Sequence, residues 1–440
     1  GGLGMSQSIT GNPILDFTLV QSLSLLYLSE ATLPMVKWQT SEDPLVRGLP
    51  CSPVVALYEK AAGRKLRMLP HTDRPSMRST GYSIQVLSRL SEILPEFVTE
   101  SQSFLAKPSY RQEWRTTAGL QLQFCLEYIA ETPCSIDEIS TVLEGGSAFL
   151  QASSTQKNAS DPGQEVHRLY EKITGDTDIS SLRTMDLAHA AQAVSAWDIR
   201  NGRQERDSFL TAASLEILSR RSRSGLFHYG PDGPASAPMG QQFYILNALL
   251  RSYPLVNLET VLEETFHLFS NLYNIAYQQA LDLFTFKKKA ISYTAFEIGS
   301  ALSCLEEISR YSGETEQKKA IDRTRNGFLD QMIQSYDQVH EKEIRKLLRW
   351  IYLSREGRVS MKEKPVVLTL FPKRLQLHYP GLVPDWSRKN IISQAEVLFL
   401  CHSLLSIPET SVQEKADSGM KLDLPALETL RSLMELFQPH

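Results

Sequence analysis

The chain has 440 residues, 42% of them hydrophobic and 22% charged, with a formal net charge of −4. That composition is globular rather than disordered, and the length exceeds one ordinary domain while staying within reach of a single large helical fold. So small a charge gives no reason to expect a nucleic-acid or polybasic membrane partner, and no run approaches the ~18 uninterrupted apolar residues of a membrane span.

Gly1–Gly4, ahead of Met5, read as an appended remnant, and residues 5–440 as one domain. Asn12 and Pro13 are suited to cap and open a first helix, which runs to about Leu28. Residues 35–75 carry many Pro and Gly, so they form a long irregular connection with room for one short helix around Val54 to Ala62. Ile84, Leu87, Leu90 and Leu94 share one face of a helix from Tyr82 to Leu94. A second helix is predicted from Arg111 to Ile129. Ser135 and Glu138 have the spacing of a capping box, opening a helix that stops near Gly145. Residues 151–164 are rich in Ser, Asn and Gly and read as a flexible insertion with a turn at Asp161-Pro162-Gly163. A short helix follows from Glu165 to Ile173.

From Thr184 onward the helices come in pairs. Met185 to Trp197 pairs with Gln204 to Arg220, and Gln241 to Arg251 with Leu258 to Tyr273. Tyr293 to Tyr311 pairs with Glu316 to Tyr336, a less distinct pair lies within residues 340–354, and Ile391 to Ser406 pairs with Leu424 to Phe437. The starts near Asp186, Gln241, Tyr293 and Gln394 recur at about 50 residues or twice that, too long for tetratricopeptide or ankyrin arrays and suited to helical hairpins joined by substantial loops. Residues 364–379 are β-branched, aromatic and bounded by prolines, and predict a small β-element between hairpins.

The first helix of each pair carries small residues: Ala188, Ala190, Ala191, Ala193; Ala248; Ala295, Gly299, Ser300, Ala301. These permit close helix approach and suit an inner layer. The second helices carry charge on one face, among them Glu263, Glu264, Lys318, Lys319 and Asp322, and suit an outer layer. The fold class predicted is therefore all-α, a helical-hairpin repeat closing as an α/α toroid, with an open α-superhelix as the alternative.

Gly225-Leu226-Phe227-His228-Tyr229, a glycine-aromatic loop, leads to the apolar helical run from Gln241 to Leu250 with Asn247 and Ala248 inside it. This combination resembles a hairpin of the six-hairpin glycosidase superfamily, and the likeness extends over roughly Leu182 to Leu405. The resemblance implies an α/α toroid whose active residues sit in loops and at inner-helix starts on one end, and a carbohydrate as ligand. No pair of loop carboxylates falls into equivalent positions of such a pattern.

The loops before the predicted inner helices hold His71, Asp73 and Arg74; Arg183 and Asp186; His228, Tyr229 and Asp232; Tyr293 and Glu297; and Asp385, Trp386 and Arg388. Aromatic faces stack on sugar rings, and carboxylates act as general acid and base. Hydrolysis needs two carboxyls, for which Asp232 and Asp385 are the first candidates and Asp186 and Glu297 the next. Trp386, Arg388, Arg183 and Tyr293 are the candidate substrate-binding residues. His228 and Tyr229, with an Arg to neutralise an acid, would serve lyase chemistry. Against these stand plainer roles: a helix-dipole charge for Asp186, turn chemistry for Asp232 in Pro-Asp-Gly, and capping for Asp385. Glu297, one turn into an apolar helix, must be partnered if buried. Glycan hydrolase or lyase is one reading; a non-catalytic scaffold holding a peptide or protein partner is the other.

No Walker loop, dinucleotide fingerprint, nucleophile elbow or HExxH motif occurs, so no cofactor and no metal are expected. His189 and His402, on helical runs, read as packing residues. Five cysteines without CxxC spacing form neither a zinc ribbon nor a redox pair. Their odd number speaks against a disulfide framework and leaves two settings open, intracellular or exported with a signal removed, of which it favours the first, and Cys125, Cys304 and Cys401 read as small core hydrophobes.

Overall fold

The structure is a computed structural model. It describes residues 55–56, 67–68, 76–97, 108–153, 161–278, 283–284, 292–313, part of 316–323, 375–378, 381–384 and 394–406. The predicted helices at 12–28, 340–354 and 424–437, the greater part of the irregular segment 35–75 and residues 364–374 lie outside this set. The chain packs as two compact units, one formed by residues 1–121 with 329–440 and the other by residues 122–328.

In the first unit, helix α1 spans Met77–Phe97 and helix α10 spans Gln394–Leu405. The two pack together, with the Tyr82 and Phe399 rings 5.6 Å apart. α1 starts five residues before Tyr82 because Ser76 caps it, its hydroxyl accepting the Ser79 N–H at 3.1 Å. Leu375–His378 pairs antiparallel with Gly381–Pro384; the first strand falls in the small β-element predicted near 364–379, and its partner lies just beyond it. Val55–Ala56 pairs antiparallel with Arg67–Met68, where a short helix was predicted. The β-branched Val55 there joins a ladder instead of a helical turn. Helix α2 spans Pro108–Glu131.

The second unit is built from α3 (Ile136–Ser153), α4 (Gly163–Asp176), α5 (Thr184–Arg200), α6 (Ser208–Ser219), α7 (Met239–Val256), α8 (Glu259–Ala276) and α9 (Ala295–Tyr311). Alternate helices α3, α5, α7 and α9 stand side by side as one layer. α4 leans on α3 and α5, α6 on α5 and α7, and α8 on α7, as a second layer. Ala188, Ala190, Ala193, Ala248 and Ala301 are fully buried, as an inner layer of close-packed helices requires, while Glu263 on α8 is exposed.

The inner helices α5, α7 and α9 run in the same direction. Along α5 and α7 the contacts advance together, from His189 with Tyr244 to Ser195 with Arg251. Along α7 and α9 they advance from Gly240 beside Glu297 to the Leu250 carbonyl beside Tyr311. The N-termini of α5, α7 and α9 therefore share one end.

Three boundaries differ from the sequence reading for physical reasons. α3 does open on its capping box, Glu138 accepting the Ser135 N–H at 3.1 Å. It does not stop near Gly145 but runs to Ser153. Gly146 is a point of close approach: a Cβ there would stand 2.8 Å from a Val166 methyl on α4. The missing side chain serves helix packing, not helix termination. Residues 151–153 accordingly finish α3, and Asp161 accepts the Gly163 N–H at 2.8 Å to open α4; residues 154–160 lie outside the described set. α7 continues past Arg251 through Pro254 and ends at Asn257, whose left-handed φ of 52° closes the helix. α6 begins only at Ser208, because the Asp207 carboxylate takes the Leu210 N–H at 2.9 Å.

Cys125, Cys304 and Cys401 are buried free thiols, and burial pushes the Cys401 thiol up to about 12, consistent with core packing. Among the described residues, no helix is long and apolar enough to cross a membrane.

Candidate functional site

The loop from Arg221 to Pro238 joins α6 to α7. It folds back on itself through bridges between Arg221 and Phe227 and between His228 and Ser236. Phe227 is its buried anchor. The buried Gln242 side chain grips the anchor's backbone: its carbonyl takes the Phe227 N–H at 2.8 Å, and its amide donates to the carbonyls of Phe227 at 2.9 Å and Ala237 at 3.0 Å. Tyr229 donates its N–H to the Ala235 carbonyl at 2.7 Å. His228 and Tyr229 thus leave a backbone held on both sides.

A second strand of chain docks against this loop. Thr184, the first residue of α5, donates its N–H to the Tyr229 carbonyl at 3.1 Å and its hydroxyl to the His228 carbonyl at 2.6 Å. That seam sets Arg183 beside Tyr229. The Arg183 Nη1 donates to the Tyr229 hydroxyl at 3.1 Å, and its Nε donates to Asp186 at 2.9 Å. Asp186 first, then Tyr229, hold the guanidinium firmly protonated. The Asp186 side chain is 13% exposed, whereas Arg183 is 56% exposed and Tyr229 41% exposed. A shielded carboxylate therefore orients an accessible cation, which in turn orients an accessible phenol.

The structure thus brings Arg183, Asp186 and Tyr229 together, with His228 in the same seam through its backbone. Asp232 lies apart, exposed in the turn that Pro231-Asp232-Gly233 makes. Glu297 sits in the first turn of α9 and is 9% exposed. Thr294 caps that helix, accepting the Glu297 N–H at 3.2 Å and donating to its carboxylate at 3.0 Å. Gly240 leaves room for this carboxylate's stem, since a Cβ there would be 2.9 Å from the Glu297 Cγ. Tyr293 belongs to a two-residue strand, Ser292–Tyr293. Asp385, Trp386 and Arg388, with His71, Asp73 and Arg74, lie outside the described residues. His189 is a buried packing residue, its Nδ1 2.8 Å from the Tyr244 hydroxyl.

Several polar groups went unnoticed in the sequence. Glu144, within what read as a helix stop, is buried inside α3; burial pushes its carboxyl up to about 7, while Arg251 pulls the other way. Arg251 donates to Gln192 at 2.9 Å. The usable signal is a polar residue between small ones on an inner helix: Glu144 next to Gly145, Gln192 between Ala191 and Ala193, Asn247 before Ala248. Among the described residues, no group of three or more His, Cys, Asp or Glu is arranged to hold a metal.

No family model matches the chain, and no curated protein matches it. Solved structures do. A sugar epimerase from a ruminal bacterium superimposes with a TM-score of 0.51 at 10% identity, over 88% of this chain and 98% of that one. Cellobiose 2-epimerase from Bacillus thermoamylovorans B4167 gives 0.49 at 8% identity, over 75% and 87%. A D-mannose isomerase gives 0.49 at 10% identity, over 91% and 99%. At such identity the likeness to the ruminal sugar epimerase is one of fold alone, an all-α array of helical hairpins of the α/α-toroid type.

Proposed function

We propose that this chain is a carbohydrate-active protein that removes a proton from a sugar carbon next to a carbonyl or carboxylate, at the N-terminal end of its inner helices. The observation that carries this reading is the Arg183–Tyr229 contact of 3.1 Å between two exposed side chains, anchored by Asp186. The guanidinium keeps donors to spare for an acidic or carbonyl oxygen of the sugar, where negative charge develops as the carbon loses its proton. Tyr229, with His228 next to it in the chain, exchanges the proton. The resulting carbanion goes on to one of two fates. It eliminates the neighbouring glycosidic oxygen, which leaves with a proton, or it takes a proton back on the other face.

Hydrolysis is less well supported. It needs one carboxyl free to carry a proton and a second opposite it. Of the described candidates, Asp186 is committed to Arg183, Asp232 lies in an exposed turn, and Glu297 is bonded to its own helix cap. The shared fold with a sugar epimerase supports a sugar as ligand.

The test is incubation in D2O with a panel of reducing disaccharides and uronate oligosaccharides, reading deuterium on the sugar carbons. Deuterium at the carbon beside the carbonyl or carboxylate, lost in Tyr229→Phe, is the expected result. Release of new reducing ends with neither deuterium on carbon nor a new carbon–carbon double bond would overturn proton abstraction in favour of hydrolysis, since elimination leaves the double bond even where no deuterium is retained.

A further inference from the structure

Arg220 is a buried arginine at the C-terminal end of α6, and it faces Glu216 at 3.1 Å. One carboxylate does not account for a guanidinium with five donors. The others go to the backbone of a single short run. Its Nη2 donates to the carbonyls of Ile179 at 3.1 Å and Ser180 at 3.2 Å, and its Nη1 donates to the Leu182 carbonyl. Nη1 also stands 3.5 Å from the Thr184 hydroxyl. That hydroxyl spends its own proton on the His228 carbonyl. The same arginine reaches the opposite segment through its backbone, where its carbonyl accepts the His228 N–H at 2.8 Å.

We infer that Arg220 is a positioning residue for the proposed site: its guanidinium fixes the 179–184 run that carries Arg183, and its carbonyl fixes the loop that carries His228 and Tyr229. The inference rests on the function proposed above. The logic is one of geometry. Arg183 and Tyr229 come from segments 46 residues apart, and neither segment is a regular helix or sheet interior that would hold it in place. A loop peptide whose carbonyls would otherwise turn to water is gathered instead by one planar, buried cation. Lysine cannot reproduce this, because it offers a point charge where three carbonyls need a fork. Burial of the guanidinium makes the arrangement costly to leave half-filled, so the run and the loop move together or not at all.

The test uses the full chain carrying Arg220→Lys, with amide hydrogen exchange as the first readout. The amides of Thr184, His228 and Tyr229 should all exchange roughly tenfold faster or more, while those of Leu249 and Leu250 in α7 stay protected. Acceleration on only one side of the seam would refute the linkage. The second readout is the rate of deuterium incorporation into whichever sugar of the panel is active. A misplaced but intact Arg183 and Tyr229 should lower kcat by ~10–100-fold with KM little changed, whereas an equal loss of kcat in a distant variant of the same melting temperature would mark a merely structural arginine. If Arg220→Lys melts as a whole, Thr184→Val, which deletes the hydroxyl link alone, must loosen the amides of His228 and Tyr229. If Tyr229→Phe leaves turnover unchanged, the proposed function fails, and the exchange result still decides whether Arg220 links the two segments.

Discussion

The two ends of α5 carry the same three residue types and use them differently. At the N-terminal end, one Arg183 serves one Asp186 and one Tyr229, and the arginine and phenol face solvent. At the C-terminal end, one Arg203 serves two carboxylates, at 3.3 Å from Asp207 and 3.8 Å from Asp198, and the Tyr170 hydroxyl at 3.3 Å. Both of those aspartates are buried. Burial, and then the neighbouring Asp207, push the Asp198 carboxyl up to about 8. Asp207 goes down despite its burial, helped by its bond to Asp198, the Leu210 N–H and Arg203. His167, Tyr170 and Trp197 stack over this end, and Arg200 lies over the Trp197 ring. With one cation per anion and open solvent, the first end has binding capacity left over. With two carboxyls sharing one cation under an aromatic cover, the second has none, and its chemistry is spent on joining α4, α5 and the start of α6.

That contrast is broken most directly by the two tyrosines. Tyr229→Phe should lower proton exchange on the sugar by ~100-fold or more, the usual contribution of a general acid–base group, and leave thermal stability nearly unchanged. Tyr170→Phe should leave that exchange rate intact. Equal rate losses in both variants would mean that the assignment of function to the first end is wrong.

The next largest effect belongs to the second end. Asp207 caps α6 through the Leu210 N–H, so Asp207→Ala should cost about 1–2 kcal/mol, measured by denaturant unfolding. Asp207→Asn keeps an acceptor oxygen and relieves the crowding of two carboxyls around Arg203. It should lose much less, and a loss as large as that of the alanine variant would show that charge rather than capping matters there.

Asp198 sharpens the comparison through pH. Its folded-state carboxyl holds a proton up to about 8, whereas in the unfolded chain it releases one near 4. Between those values the folded state binds more protons than the unfolded one, so stability falls as pH rises across the window and levels off above it. Glu144 acts in the same sense up to about 7. Asp207, with its lowered carboxyl, contributes the opposite slope at acid pH. Asp198→Asn removes one carboxyl from the falling limb, so its melting temperature relative to the parent should climb from pH 5 to pH 9. A constant difference across that range would exclude the buried proton.

The hairpin pattern was legible in the sequence because it rests on residue size and spacing. Ala188 to Ala193 and Ala295 to Ala301 announce close-packed inner helices, and the capping box at Ser135 marks a true helix start. Gly145 and Gly146 misled, because a glycine that ends a helix and one that admits Val166 look alike in one dimension. The rim residues Arg183, Asp186 and Tyr229 were legible as loop residues of the right chemistry. Their mutual contact was not, since it depends on a seam of backbone bonds between segments far apart in sequence. Arg220 stayed hidden within Ser219-Arg220-Arg221-Ser222-Arg223, where only burial separates it from its exposed neighbours. Asp198 and Asp207 were equally silent, because what matters in them is a shared cation and the absence of water.

The smallest effect on stability is expected at a pair the sequence had already offered as rim residues. The Arg183–Asp186 pair joins residues three apart at a helix start, with the arginine more than half exposed. Exposed pairs of this kind contribute ~0–1 kcal/mol, because solvent screens them and ordering two side chains costs entropy. Asp186→Asn should therefore shift unfolding by less than about 1 kcal/mol, in contrast to Asp207→Ala at the start of α6. Its effect on the sugar should be out of proportion to that. An asparagine offers only a neutral acceptor and loses the charge-assisted hold on the guanidinium, so Arg183 swings more freely and Tyr229 loses its fixed donor. Exchange into the sugar should fall in Asp186→Asn while the melting temperature hardly moves. If stability dropped and turnover did not, Asp186 would be a helix-start charge and nothing more, and the two ends of α5 would differ in exposure alone.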